Sequence, residues 1–206
     1  MKPGEMAERL DGPTFHRVAA EMQRRGFNDI EWSEVIAPPA DADDFGGEAI
    51  FVICNSGMKN TVAREIFKRV MAALGAAQSA STAFRHPGKS AAIDTIWRDR
   101  AALYAAYMAA DDKLAACEAL PWIGGITKYH LAKNFGADVA KPDVHLQRLA
   151  DQHGCTPQAL CDRLAAETGY RAATIDTVLW RACAEGVIDS RTGALRALQD
   201  AQDGGA

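Results

Sequence analysis

Leu120-Pro121-Trp122-Ile123-Gly124-Gly125-Ile126-Thr127-Lys128-Tyr129-His130-Leu131-Ala132-Lys133-Asn134-Phe135-Gly136 is the stretch whose reading decides the fold. Proline disfavours helical backbone in the residue before it, so a helix predicted over 112–119 ends here. Two glycines then permit a tight turn, and a helical pattern resumes at once over 126–135. Such a turn leaves backbone N–H groups unpaired at the start of the second helix, which suits a phosphate, and a glycine lets an anion approach the backbone closely. Helix–Gly–Gly–helix also describes an ordinary helical corner, so the pattern speaks for local fold before it speaks for function.

Helical patterns extend in both directions. Upstream, Thr14 is a predicted cap for a helix carrying Phe15, Val18, Ala19 and Met22 and ending near Gly26, with a short helix over 29–36 after it. Pro38, Pro39 and the acidic run to Gly46-Gly47 read as a loop. The apolar run Ala49 to Cys54 fits a buried strand, but the chain offers no partner strands, so a buried helix is expected. After a break at Asn55-Ser56-Gly57, Val62, Ile66, Phe67, Val70 and Met71 resume a helical stripe, and Pro87-Gly88 begins another through Trp97, Leu103 and Tyr107. Downstream, helices are predicted over 144–153, 157–168 (with Thr156 as cap and Pro157 in the first turn), 172–185 and 192–202. The expected fold class is all-α. Residues 1–48 are expected to pack with the C-terminal helices, and 49–206 to fold as one compact unit.

Composition agrees. The 206 residues suffice for one core or two closely packed lobes, and 48% hydrophobic with 24% charged residues is ordinary for a globular protein. No run approaches the roughly 20 apolar residues that span a bilayer, and the first residues lack the apolar core of a secretory signal, so no membrane partner and a cytoplasmic location are expected. The five cysteines form no CxxC pair and read as reduced thiols. A net charge of −4 argues against indiscriminate polyanion binding, yet Lys59, Arg64, Lys68 and Arg69, and later Lys128, Lys133, Lys141 and Arg148, form two locally basic segments. Solvated helix surfaces are the plain alternative.

A second motif follows the turn at a fixed distance: Gly136-Ala137-Asp138-Val139-Ala140-Lys141-Pro142-Asp143-Val144-His145-Leu146-Gln147-Arg148. Together the two resemble the helix-hairpin-helix DNA glycosylases of the endonuclease III type, which carry a Leu-Pro-Gly-Val-Gly hairpin and, less than twenty residues later, an aspartate in an Asp-x-His context. The resemblance runs from about residue 49 to 187 and is strongest over 120–148. More loosely, Val52 to Gly57 and the basic helix after it look like the family's helix start that supplies a DNA-inserting side chain. The resemblance implies an all-α fold in two lobes, double-stranded DNA as partner, a monomer, and a target nucleotide turned out of the duplex. It makes Asp143 the candidate catalytic residue, stabilising positive charge on the sugar as the base departs. As an N-cap of the following helix, Asp143 also has a purely structural reading. The implied DNA contacts are Asn55 (as wedge or helix cap), Trp122, Gly124, Gly125, Ile126, Thr127 and Lys128. Lys141, His145 and Arg148 surround the aspartate in sequence, Lys141 as ion partner or alternative amine.

Departures narrow the expectation. Members that also cut the strand place a lysine two residues after the last hairpin glycine; with Gly124 as that glycine Ile126 stands there, so hydrolysis of the N-glycosidic bond without Schiff-base lyase activity is expected. Lys128 lies about 200° further round the helix. It reads as a solvated or phosphate-facing side chain. Trp122 stands where the family has glycine, either packed under the hairpin or meeting a DNA backbone. Cys155, Cys161 and Cys183 lack the spacing for the iron–sulfur cluster many members hold, and the five histidines show no ligand pattern, so no metal is expected. A monovalent cation on hairpin carbonyls remains compatible with the resemblance. Trp32, Trp97, Tyr107 and Trp180 are indistinguishable candidates for stacking on an extruded base. A non-catalytic helix-hairpin-helix DNA-binding protein is the main alternative; an unrelated enzyme or interaction module would require the match to be accidental.

Overall fold

The computed structural model describes residues 9–196. Among these the chain forms ten α-helices: α1 (Gly12–Arg24), α2 (Asp29–Glu34), α3 (Ala42–Asn55), α4 (Asn60–Gly75), α5 (Pro87–Ala109), α6 (Lys113–Glu118), α7 (Thr127–Asn134), α8 (Val144–Gln152), α9 (Pro157–Thr168) and α10 (Ala172–Ala184). A 3-10 turn at Ala80–Thr82 and one isolated antiparallel bridge, Ile188 to Leu195, complete it. The described chain is all-α, and none of its helices is long and apolar enough to cross a membrane.

Three expectations are corrected. The cap of α1 is Asp11, whose Oδ1 accepts the Thr14 N–H at 3.0 Å, so the helix begins two residues before Thr14. The acidic run is the head of α3. Asp41 caps it, accepting the N–H groups of Asp43 and Asp44 at 2.9 and 2.8 Å, and the following carboxylates sit at the positive end of the helix dipole. In place of a helix starting at 192, residues 189–196 fold back on themselves, with Asp189 N–H on Ala194 O at 2.9 Å and Arg196 N–H on Val187 O at 2.7 Å. The remainder of that expected helix lies outside the described residues.

The chain divides into two units, Met1–Ile36 with Asp138–Ala206, and Ala37–Ala137. The boundary expected after residue 48 would cut through α3. In the first unit α10 is the central element. Ile175, Val178, Leu179 and Ala182 are buried against Phe15, Val18 and Met22 of α1, Leu160 and Leu164 of α9, and Leu146 and Leu149 of α8. Its breadth of apolar surface follows from having neighbours on several sides. Arg181 of α10 grips Asp29 of α2 with two hydrogen bonds, 3.0 and 3.1 Å. On α1, buried Glu21 receives hydrogen bonds from Arg24 and Arg25, one helical turn away.

In the second unit α3 takes the central place. Phe45, Ile50, Val52 and Ile53 are fully buried, with Ile66 and Val70 of α4, Ile93 and Ile96 of α5, and Leu131 of α7 in the same unit's core. Phe45, Tyr107 and Phe135 form an aromatic knot with ring centroids 4.9–5.6 Å apart. Such pairs add about 0.5–1.5 kcal/mol each beyond area burial. The knot fixes the C-terminal end of α7, and so positions the hairpin before it.

The arginine hydrogen bonds hold the Glu21 carboxyl down to about 2, from an ordinary 4.5. A carboxyl depressed in the folded state contributes stability above its ordinary value, and loses it as pH falls towards the folded value. Glu21→Gln is therefore expected to lower the urea midpoint at pH 7. The gap from wild type should close as pH is lowered from about 4.5 to about 2.

Candidate functional site

The hairpin is built on two buried apolar anchors, Leu120 and Ile123, joined by an Ile123 N–H to Leu120 O bond of 3.1 Å. Between them Pro121 and Trp122 occupy the central positions of a turn, with Trp122 at φ 68°. Proline then a left-handed residue is the pattern of a type II turn, whose second central position favours glycine. The left-handed backbone of this hairpin therefore falls on a tryptophan. Neither Gly124 nor Gly125 has positive φ.

Gly124 is closed off locally: its N–H donates to Thr127 Oγ1 at 2.7 Å, and its carbonyl accepts the Lys128 N–H at 2.9 Å. The N–H groups of Gly125, Ile126 and Thr127, at the head of α7, have no partner among the described residues. Such unpaired donors at a helix start suit an anion, and they begin one residue after Gly124. Lys128 is no free cation. Its Nζ is 2.6 Å from Glu118 Oε2 across the turn, and this carboxylate holds the amine above its ordinary value. Glu118 also flanks Gly125, where a Cβ would stand 3.7 Å from its Oε1. Ile126 is 48% exposed.

Trp122 is 46% exposed rather than packed under the hairpin. The benzene half of its indole lies across Gly88, in the first turn of α5: a Cβ at position 88 would stand 2.9 Å from Trp122 Cη2. His86 meets the ring edge-on at 5.2 Å, and its Nδ1 caps α5 by accepting the Lys89 N–H at 3.3 Å. Lys89 is 5% exposed and donates its Nζ to Ser56 O, in the turn between α3 and α4; burial pushes its amine below the ordinary value. The turn after α3 and the hairpin thus meet on one turn of α5. Sequence reading missed His86, Gly88 and Lys89 as site residues. The signal available was the cap-and-proline start Arg85-His86-Pro87-Gly88-Lys89.

Asn55 is the last residue of α3. It caps neither neighbouring helix, and its Oδ1 is buried without a hydrogen-bond partner among the described residues. Among the other aromatic candidates Tyr107 belongs to the core, Trp97 carries the Arg100 guanidinium 4.2 Å above its ring, and Trp32 and Trp180 are on the surface of the first unit.

Asp143 lies in the first unit, as N-cap of α8. Its Oδ1 accepts the N–H groups of His145 and Leu146 at 3.0 and 3.1 Å. Its Oδ2 is 3.9 Å from Lys141 Nζ and has no other partner among the described residues. A tight turn about Pro142, with Asp143 N–H on Lys141 O at 2.8 Å, sets the two side chains together. The Lys141 N–H in turn donates to Asp176 Oδ2 at 3.1 Å. His145 Nδ1 is 2.9 Å from the buried Ser190 Oγ, which ties the head of α8 to the C-terminal turn, and Arg148 is exposed one turn on. Cys183 is close enough for the Asp143 and Asp189 charges to add to burial in pushing its thiol up to about 12. No group of three His, Cys, Asp or Glu side chains among the described residues could hold a metal ion.

One oxygen of Asp143 caps a helix and the other faces only Lys141 among the described residues, and mutation tests the cap. Asp143→Ala is expected to cost about 1 kcal/mol of stability through the lost cap, whereas Asp143→Asn keeps an acceptor and should cost much less. Urea unfolding of the two variants checks this.

No family model matches the chain, and neither a curated protein nor a solved structure matches it, so the chemistry of the side chains carries the functional reading.

Proposed function

We propose that the chain is a monofunctional DNA glycosylase of base-excision repair that works as a monomer on duplex DNA. It would hydrolyse the N-glycosidic bond of a damaged or mispaired, flipped-out base. The observation that carries this reading is Asp143: a largely buried carboxylate with one oxygen clamped by two backbone N–H groups and the other paired loosely with Lys141. Loss of a base from deoxyribose passes through a sugar with oxocarbenium character, and a fixed carboxylate beside it lowers that barrier electrostatically. The same Oδ2 can accept a proton from the attacking water while Oδ1 keeps the side chain from swinging. Ile126 offers no amine, so the hairpin supplies binding alone. The free N–H groups of Gly125, Ile126 and Thr127 hold a phosphate, which fixes register on the duplex without reading sequence.

The half-exposed Trp122 and Ile126 on the hairpin favour one second reading, a DNA-binding protein without turnover, because they serve contact rather than catalysis. The two separate in one assay. Duplexes carrying oxidised, alkylated, deaminated or mismatched bases are incubated with the protein, and abasic sites are cleaved with hot alkali. The glycosylase reading expects product from at least one duplex, reduced about 100-fold or more in Asp143→Asn. Equal release by the mutant sinks the proposed role of Asp143. Binding of duplex by both proteins, with no product from either, supports the second reading.

Both readings make Glu118 an electrostatic brake on the hairpin. Glu118→Gln should release Lys128, tighten duplex binding and steepen the dependence of log K on log salt by up to about 0.9. Fluorescence anisotropy across a salt series measures it.

A further inference from the structure

We propose that Trp122 is a stacking platform for an unpaired nucleobase beside the backbone held by the hairpin, so that the preferred substrate is a duplex with a base already out of its stack. The inference rests on the reading of the hairpin as a DNA-binding element.

The first observation is conformational. At φ 68° a residue with a Cβ is strained, and a bulky aromatic side chain there is a rare outlier, while glycine would adopt the same backbone freely. Strain of this kind persists where the surroundings enforce it, and it concentrates at functional sites. The second observation is how the ring is seated. Its benzene half rests on Gly88, where no side chain intervenes, and His86 meets its edge. The indole N–H has no partner among the described residues, and 46% of the residue is exposed. Internal packing therefore uses one part of the ring and leaves the rest presented.

Charge on the segments that meet at this turn of α5 points to what covers it. Arg85 precedes the His86 cap, Lys59 follows the turn whose Ser56 carbonyl Lys89 holds, and Arg64 comes one turn into α4. All three are exposed and have no anionic partner among the described residues. The carboxylate at the hairpin, Glu118, is engaged with Lys128, and Glu65, beside Arg64 in the chain, with Lys68. A half-exposed indole whose edge partner, His86, directly follows the unpaired Arg85 has the chemistry that binds a nucleotide: stacking on the base, attraction of the phosphodiester. A fully paired duplex offers the charge but keeps its base faces stacked. An acidic peptide offers charge without a base.

The test compares a matched duplex, the same duplex with one bulged adenine, and a polyglutamate peptide as competitor, using anisotropy of labelled DNA and the full chain. Wild type is expected to prefer the bulged duplex about tenfold or more. Trp122→Gly and Gly88→Val, which remove or displace the ring, should abolish the preference, bringing bulged-duplex affinity down to that of the matched duplex, and Trp122→Phe should retain part of it. The thermal midpoint of Trp122→Gly is expected to move by no more than about 4 °C. Equal binding of both duplexes by wild type overturns the platform while leaving the hairpin reading standing. Failure to bind either duplex overturns both readings. Competition by polyglutamate as effective as that by unlabelled bulged duplex overturns it in favour of an acidic partner. A Trp122→Gly protein whose midpoint and two affinities fall together overturns it in favour of a packing role.

Discussion

An indole and a helix side chain cannot share one space, and the seating of the hairpin on α5 depends on how this is resolved at position 88. Because Gly88 carries no Cβ, Trp122 can lie against the first turn of α5. The same turn is fixed from inside by the His86 cap and from below by Lys89, whose buried ammonium reaches the Ser56 carbonyl. Three of four consecutive residues thus perform three different tasks. Their common result is that two loops distant in sequence, the turn after α3 and the hairpin before α7, are referenced to one rigid helix start. Removing a methyl group's worth of volume at one residue is what makes the arrangement sterically allowed.

Asp143 is fixed by shorter-range means. Pro142 limits the backbone, the turn from Lys141 O to Asp143 N–H closes it, and the head of α8 supplies two N–H groups to one carboxylate oxygen. Every one of these constraints lies within five residues, except the Lys141 N–H to Asp176 bond and the His145 contact with Ser190. The carboxylate is therefore held by a local motif docked on the α10 core. A site residue defined in this way tolerates change elsewhere in its unit better than Trp122 does, because its geometry depends on fewer distant contacts.

This difference explains what could be read from the sequence. The helices were legible because apolar residues at three- and four-residue spacing leave little else for the chain to do. The Asp143 cap was legible for the same local reason. The head of α3 was not, because an acidic run ending in Gly46-Gly47 carries the residue preferences of a loop, and only the Asp41 cap turns those carboxylates into helix-dipole partners. The hairpin was legible as a tight turn between helices, but the two glycines that suggested it have no positive φ, and the left-handed residue is Trp122. The Lys128 pairing with Glu118 and the seat on Gly88 depend on contacts across a turn and between helices. Neither has a periodic signature.

The energetics of Trp122 show why its fold role and its proposed contact role can be told apart. A left-handed backbone costs a residue with a Cβ about 1–2 kcal/mol. An edge-to-face aromatic pair of the His86 kind returns about 0.5–1.5 kcal/mol, and burial of half the indole adds a similar amount. Glycine at the same position would escape the strain but forfeit the packing, and would lose more backbone freedom on folding by about 0.5–1 kcal/mol. At their midpoints these terms leave tryptophan ahead of glycine by only about 1 kcal/mol. The seat on Gly88 therefore stabilises the turn modestly, and the exposed part of the ring is left to be shaped by what it touches.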